Sequence, residues 1–337
     1  RKSAMSASSQ AAPKTAAVIG AGLAGAAAAR ALEARGAEVV LFDKGRGPGG
    51  RLSTKRGDAE AGIAAFDHGA QYLTARTEAF KGFLAAASIA GAASVWTGRF
   101  VSLLRDGSTA LKPEPRWVGR PGMNALVKHA LKGLDARFNR RVSEITGEPG
   151  AWTLRFEDGE SEGPFGAIAI TAPSPQAAQL CDSAGADALA DEARGAEMAP
   201  SLTAMASWET SFDIGFDGAK FDTGPIGWAA RMASRPGREP GADWVIHADA
   251  GTSRAWLEED PLDSAQRLAR AFAERFSLPD PQRVAGHRWR HALAEQPPGD
   301  PCALSDDATI GTAGDWRLGP RAEHAWTSGL ALGSALG

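Results

Sequence analysis

The chain has two cysteines in 337 residues, Cys181 and Cys302, too few for a disulfide framework and in keeping with a reducing, cytoplasmic setting. It has one tyrosine, Tyr72. Its longest uncharged runs, 16–29 and 82–98, are rich in Ala and Gly and fall short of the ~20 strongly apolar residues that a bilayer asks for. Neither sign of charge dominates, since 37 Lys and Arg stand against 40 Asp and Glu for a formal net charge of −3. That balance argues against nucleic acid as the main partner. No obligate protein partner and no membrane partner is implied. The six histidines show no metal-site spacing, and neither HExxH nor a cysteine pair is present, so no metal is expected. Residues 1–14, rich in Ser, Ala and Gln without the apolar block of a secretory signal, read as a disordered tail.

What the chain has in abundance is glycine, 40 residues, and part of it falls into a pattern. Ala16-Ala17-Val18-Ile19 reads as a short buried strand that runs straight into Gly20-Ala21-Gly22-Leu23-Ala24-Gly25. An Ala-rich helix follows to Arg35, Gly36 sits at its C-cap, and Glu38-Val39-Val40-Leu41-Phe42 forms a second buried strand ending at Asp43. Gly20-x-Gly22-x-x-Gly25 between strand and helix is the dinucleotide fingerprint. Its glycines allow the tight turn, let a pyrophosphate approach the backbone and bring helix against strand, while the helix N-terminus faces the phosphates. Asp43, 23 residues after Gly20, is placed to accept hydrogen bonds from a ribose diol.

The next residues, Asp43-Lys44-Gly45-Arg46-Gly47-Pro48-Gly49-Gly50-Arg51, resemble the second signature of the flavin amine-oxidase-like superfamily. The Gly49-Gly50 pair again permits close backbone approach, now toward the far end of an FAD, and Arg46 or Arg51 offers a planar cation to phosphate or to the flavin edge. Further on, helices are expected over 77–92, 122–134 and 261–276. Runs at 141–146, 152–156 and 167–171, separated by turn residues, read as an antiparallel meander. From 174 to 296 the texture changes to strands at 202–208, 244–248 and 283–292 around the one clear helix. After 309 the chain returns to strand, glycine turn and a final helix starting at 326–328.

Taken together, Asp67-His68-Gly69-Ala70-Gln71-Tyr72, Arg116-Trp117-Val118-Gly119 with Pro121-Gly122-Met123, His287-Arg288-Trp289-Arg290 and the closing Gly314-Asp315-Trp316 to Ser328-Gly329 resemble the renalase family, its bacterial members in particular. The resemblance implies an α/β, two-domain, FAD-dependent amine-oxidase-like fold, with a Rossmann-type FAD domain and an antiparallel-sheet substrate domain. The FAD-binding domain would take 15–75, 119–173 and 297–337, and the substrate domain 76–118 and 174–296. It further implies oxidation of dihydronicotinamide isomers, the 2- and 6-dihydro forms of NAD(P), to NAD(P)+, with oxygen reduced to hydrogen peroxide. The partners are then a small-molecule dinucleotide and oxygen.

By the same resemblance Asp43 takes the adenosine ribose, Gly22, Leu23 and Ala24 the pyrophosphate, Val142 the adenine through its backbone, and Asp315 the ribityl or pyrophosphate region. Arg51 and Gln71 would lie near the isoalloxazine. Gly20, Gly25, Lys44, Gly50, His68, Gly69, Ala70, Gly314 and Ser328 complete the expected cofactor-binding set. Ser328 marks the expected start of the final helix, whose positive end would face the flavin N1 and C2 carbonyl; an ordinary N-cap serves the same residue equally well.

Hydride transfer asks the protein for positioning and electrostatics, so no catalytic triad is expected. His247, Trp289 and Gln71 are the catalytic candidates. His68, His247 and His287 could each meet a nicotinamide carboxamide or the flavin, or be structural; His247 is preferred because it ends an apolar strand. Trp289 alternates with Arg288 and Arg290, which directs the indole to the cavity and the arginines away. Arg231, Arg235, Arg238, Arg254, Arg288 and Arg290 suit a dinucleotide diphosphate better than a neutral amine, although the 235–238 stretch itself reads as a solvated loop. Two other functions stay open: a flavin amine oxidase of a small amine, weakened because one tyrosine cannot form a tyrosine pair, and a flavin-binding sensor without turnover.

Overall fold

Burial on both faces is what Ala16 to Ile19 demand, and the strand Thr15–Ile19 accordingly lies inside a six-stranded sheet of a computed structural model that describes residues 13–57 and 65–337. The tail expected over 1–14 lies, for residues 1–12, outside the described residues. Parallel neighbours of Thr15–Ile19 are Glu38–Phe42 on one side and Ala167–Ile170 on the other. Beyond them lie Asp135–Arg137 at one edge, and Ile310–Thr312 followed by the antiparallel Ala303–Leu304 at the other.

The expected meander is corrected at its third strand. Val142–Glu148 and Ala151–Phe156 pair antiparallel, but the partner that follows is Ser161–Phe165, and the run at 167–170 joins the parallel sheet instead. A strand apolar at every position has two faces to bury, and only a sheet covered on both sides offers that.

The helix Leu23–Ala34 buries Ala24 and Ala26 to Ala29 almost completely, and the helix Ala322–Ala335 crosses it closely. Gly329 faces the main chain of Ala24 and Gly333 that of Ala28; a Cβ at either glycine would collide with the opposing carbonyl. Two small residues four apart on each helix thus bring the axes together. The final helix begins at Ala322, not at 326–328. Its first turn carries Glu323, a carboxylate buried because it accepts hydrogen bonds from the N–H groups of Arg76 and Thr77, and apolar periodicity does not register such a residue.

A seven-stranded sheet runs in the order Arg283–Ala294, Met198–Ser207, Asp243–Ala248, Ile226–Arg231, Gly218–Phe221, Phe100–Leu104, Gly107–Ala110. It is antiparallel except where Gly218–Phe221 meets Phe100–Leu104, a parallel pair contributed by the early segment. The helix Pro261–Arg275, capped by Asp260 Oδ1 accepting from Leu262 N, buries Leu268 and Phe272 against that sheet, where Phe272 meets Trp208 and Trp244. The fold is therefore a two-domain α/β arrangement with a Rossmann-like half and mixed sheets, as expected. Among the described residues, no helix is long and apolar enough to cross a membrane, and no group of three or more His, Cys, Asp and Glu is placed to hold a metal ion.

Candidate active site

A cavity of about 1970 Å³ opens where the C-terminal ends of the parallel strands meet the seven-stranded sheet. The glycine turn forms its first wall. Gly20 has φ +110°, which a side chain would strain, and Gly25 lies so close to the Gly20 carbonyl that only hydrogen fits there. Gly25 does not line the cavity; it fixes the turn. Gly22, by contrast, is extended, and a Cβ built on it meets nothing within 4 Å, because the space beyond it is cavity. No side chain caps the helix that starts at Leu23, so the first N–H groups of Leu23 and Ala24 are left for a ligand. These features suit a pyrophosphate.

Asp43 leaves its strand beside this turn. Its Oδ2 accepts from Ala21 N at 2.8 Å and its Oδ1 from Gly45 N at 2.6 Å, so the carboxylate braces both loops and has lone pairs left for donors in the cavity. Lys44 stands next to it, its pKa pulled down by burial and by Arg141. Val142, the first residue of its strand, lines the same end of the cavity.

The Gly49-Gly50-Arg51 turn supplies the next wall. Arg51 donates to Asp315 with both terminal nitrogens and to the Ala292 carbonyl at 3.1 Å. Three segments far apart in sequence are thereby joined at one point. The Arg51 carbonyl in turn receives Ala70 N, and Gly69 packs against it so tightly that a Cβ would overlap it. Gly314 and Asp315 face the cavity, but Ser328 does not: it is fully buried in the middle of its helix, where its Oγ accepts from Gly314 N and donates to the Pro301 carbonyl. Ser328 is not an N-cap and does not line the cavity; it anchors the glycine loop that does. The helix start that does border the cavity is Arg321 and Ala322.

Opposite these loops stands a wall of rings. Trp289 donates its Nε1 to the His68 carbonyl at 2.9 Å and stacks on the His68 imidazole, with His287 edge-on to His68 at 4.7 Å between centroids. His247 Nδ1 lies 3.3 Å from Thr203 Oγ1, and its Nε2 is buried without a partner. All three imidazoles are shifted toward the neutral form, chiefly by desolvation; His68 adds to the shift of the other two, while its own is opposed by the hydrogen bond to the Phe66 carbonyl, and His247 is lowered to about 3 and His287 to about 4. Tyr72 and Trp228 continue the wall, ring centroids 5.6 Å apart.

Gln71 borders the cavity with its amide already engaged: Nε2 donates to the carbonyls of Asp67 and Gly69, and Oε1 accepts from Arg235. Behind it lies a group that sequence reasoning missed. Asp67, 1 % exposed, accepts from Thr54 Oγ1 and Met123 N and pairs with Arg238 at 2.7 Å and Arg235 at 3.4 Å. Burial alone would raise the carboxyl's pKa, but the two guanidiniums and these hydrogen bonds lower it. The 235–238 segment is thus a buried ionic brace, not a solvated loop, and Arg235 also stacks on Trp96. No local pattern marks Asp67, because its partners at 123, 235 and 238 come from distant segments.

The six arginines expected to meet a substrate are largely spoken for. Arg231 pairs with Asp217, Arg254 with Glu295 and Arg290 with Glu258, while Arg288 donates to the carbonyls of Leu257 and Glu259. The cavity is cationic by other means. Apart from Arg288 and Arg290, nine Lys and Arg line it; Arg51, Arg140 and Arg141 pair with carboxylates, while Lys44, Arg46, Lys55, Arg56, Lys128 and Arg321 pair with none among the described residues.

A family model described as "Flavin containing amine oxidoreductase" matches residues 75–299, more than half of the chain, and one described as "NAD(P)-binding Rossmann-like domain" matches 18–87. Among solved structures, cyclohexylamine oxidase from Brevibacterium oxydans IH-35A superposes with a TM-score of 0.70 at 14% identity, covering 96% of this chain and 98% of that one. Putrescine oxidase bound to putrescine gives 0.66 at 12% identity, over 95% and 98%. At such identities the likeness is one of fold.

Proposed function

The chain belongs to the flavin-containing amine oxidoreductase family, a family of flavin-dependent oxidoreductases, and from that premise we propose that it holds FAD and oxidises 2- and 6-dihydro-NAD(P) in the manner of renalase-like enzymes. One dihydronicotinamide, one O2 and one proton give one NAD(P)+ and one H2O2. FAD bound along the cavity supplies the two-electron acceptor. Gly22 and the free N–H groups after it hold the pyrophosphate, Asp43 the ribose, and the Arg51–Asp315 pair, seated between three segments, fixes the far end. The unpaired thiols of Cys181 and Cys302 agree with a cytoplasmic setting.

One observation carries the substrate assignment: six cationic side chains of the cavity wall, Lys44, Arg46, Lys55, Arg56, Lys128 and Arg321, pair with no carboxylate among the described residues, more than one FAD diphosphate needs. A second anionic dinucleotide uses the surplus, whereas a protonated amine is repelled by it. Loss of hydride from a dihydropyridine leaves a cationic ring, and a wall of neutral His68, His247 and His287 does not oppose that charge as imidazoliums would. The second reading, oxidation of a small amine, is favoured by the Tyr72 and Trp228 rings, an aromatic pair on the same wall.

Anaerobic mixing of the FAD-loaded protein with 2- and 6-dihydro-NAD separates the two. Rapid loss of flavin absorbance, with ordinary 4-dihydro-NADH far slower, is expected, because only a ring carbon held within roughly 3–3.5 Å of the accepting atom reacts. Rapid loss with simple amines and none with any dihydronicotinamide would move the assignment to amine oxidation.

A further inference from the structure

Beside the main cavity lies a separate recess of about 480 Å³, within the ~300–1,000 Å³ of ordinary small-molecule sites. The two share Ala70, Tyr72, Pro320, Arg321 and Ala322 as a common wall, so the recess continues the cavity past the start of the final helix. Its own residues include Thr74, Arg76 and Glu114.

The recess is built rather than incidental. Glu323, 3 % exposed, accepts at one oxygen from Arg76 N at 2.9 Å, Thr77 N at 2.6 Å and Thr77 Oγ1 at 2.8 Å, which locks the 74–77 segment to the helix start. Arg321 adds a second tie, donating from Nη2 to Thr74 Oγ1 at 2.6 Å. Both walls are therefore held at fixed spacing before any ligand arrives. Because Glu323 holds Arg76 only by its main-chain N–H, the Arg76 guanidinium stays outside the clamp, and Arg321 has further N–H groups beyond the one given to Thr74. Two guanidiniums and one carboxylate on a shared rim match a diphosphate flanked by ribose hydroxyls: the forks suit phosphate oxygens, and Glu114 accepts from a hydroxyl.

We propose that this recess is the subsite for the adenosine-diphosphate half of the dinucleotide substrate, with Arg76 and Arg321 as its anion-holding residues. The inference rests on the dinucleotide reading above and adds the place where the non-reacting half is bound. That half would supply binding energy remote from the chemistry and so help orient the nicotinamide ring.

The test uses the FAD-loaded protein and two probes, NAD+ and nicotinamide riboside, which lacks the diphosphate; affinities are read from perturbation of the flavin spectrum. Wild-type protein is expected to bind NAD+ at least about 10-fold more tightly than the riboside. Arg76→Gln should weaken NAD+ about 3-fold and Arg76→Glu about 10-fold or more, with riboside affinity unmoved in both. Neither change touches the Glu323 clamp, so folding is preserved, and Arg321→Gln provides an independent second loss. Equal affinity of the wild type for the two probes, or NAD+ affinity unchanged by both Arg76 variants, overturns the subsite while leaving the dinucleotide reading in place. If neither probe perturbs the flavin and amines do, the dinucleotide reading falls and the subsite with it.

Discussion

A methyl group at position 22 would stand in the space that the pyrophosphate needs, and it would touch no protein atom within 4 Å. Since the backbone at Gly22 is extended, Gly22→Val costs the fold little, and the expected outcome is a protein with the thermal midpoint of the wild-type apoprotein and no retained flavin. Flavin content after gel filtration checks this; full retention would mean that the turn is structural only. Asp43→Ala should weaken FAD by ~1.5–3 kcal/mol, the range for hydrogen bonds to a charged group, while turnover at saturating FAD survives, as titration of the apoprotein will show. Asp67 is a different case. Its replacement by Ala strands Arg235, 3 % exposed, and its neighbour Arg238 without their counter-charge, and the loss of a buried pair partner is worth ~3–5 kcal/mol in denaturant unfolding. A loss under ~1 kcal/mol would show that water or a rearrangement covers the two guanidiniums.

At the level of elements, the close crossing of the helices Leu23–Ala34 and Ala322–Ala335 makes the strongest claim. Gly329→Val places a branched side chain against the Ala24 main chain, which cannot yield without moving the glycine turn, so a destabilisation of ~3 kcal/mol and weakened flavin binding are expected together. Ser334→Ala, on the exposed side of the same helix, is the control and should change neither. The first helix was legible in the sequence because strand, glycine motif, alanine run and C-terminal Gly36 all agree on one βαβ unit. The helix expected over 261–276 is found at Pro261–Arg275, where Asp260 and Pro261 form a strong local start. The start of the final helix did not, since Glu323 is buried by partners from the 76–77 segment, and no local pattern reveals a carboxylate whose donors lie nearly 250 residues away. The strand at 167–170 was legible as a strand but not in its pairing; that depends on which neighbours cover its two faces. For the site the same division holds. The glycine turn and Asp43 are local patterns, while the Arg51–Asp315 pair and the Asp67 brace exist only once distant segments meet.

For the molecule as a whole, the neutral histidines set a pH limit. His68, His247 and His287 have folded-state values below the ordinary ~6.5, so the unfolded chain binds protons that the folded chain refuses. Their contribution is fully present above pH ~6.5 and is lost as pH falls from there toward about 4 for His287 and about 3 for His247. Asp67, lowered as well, acts in the same direction at still lower pH. The thermal midpoint should therefore fall steadily below pH ~6.5, and a His287→Phe variant, if its ring packing is kept, should lose less over that interval; equal slopes would mean that His287 titrates normally. The six-stranded sheet also orders events in time. Thr15–Ile19 leaves the ribosome well before Ile310–Thr312, yet the sheet that contains both is complete only when the latter has emerged, and the cavity wall only after Asp315 and Arg321. Cofactor capture is thus tied to the emergence of residues 310–321: nascent chains arrested before residue 310 should neither retain flavin nor resist protease, whereas chains extended past residue 321 should do both.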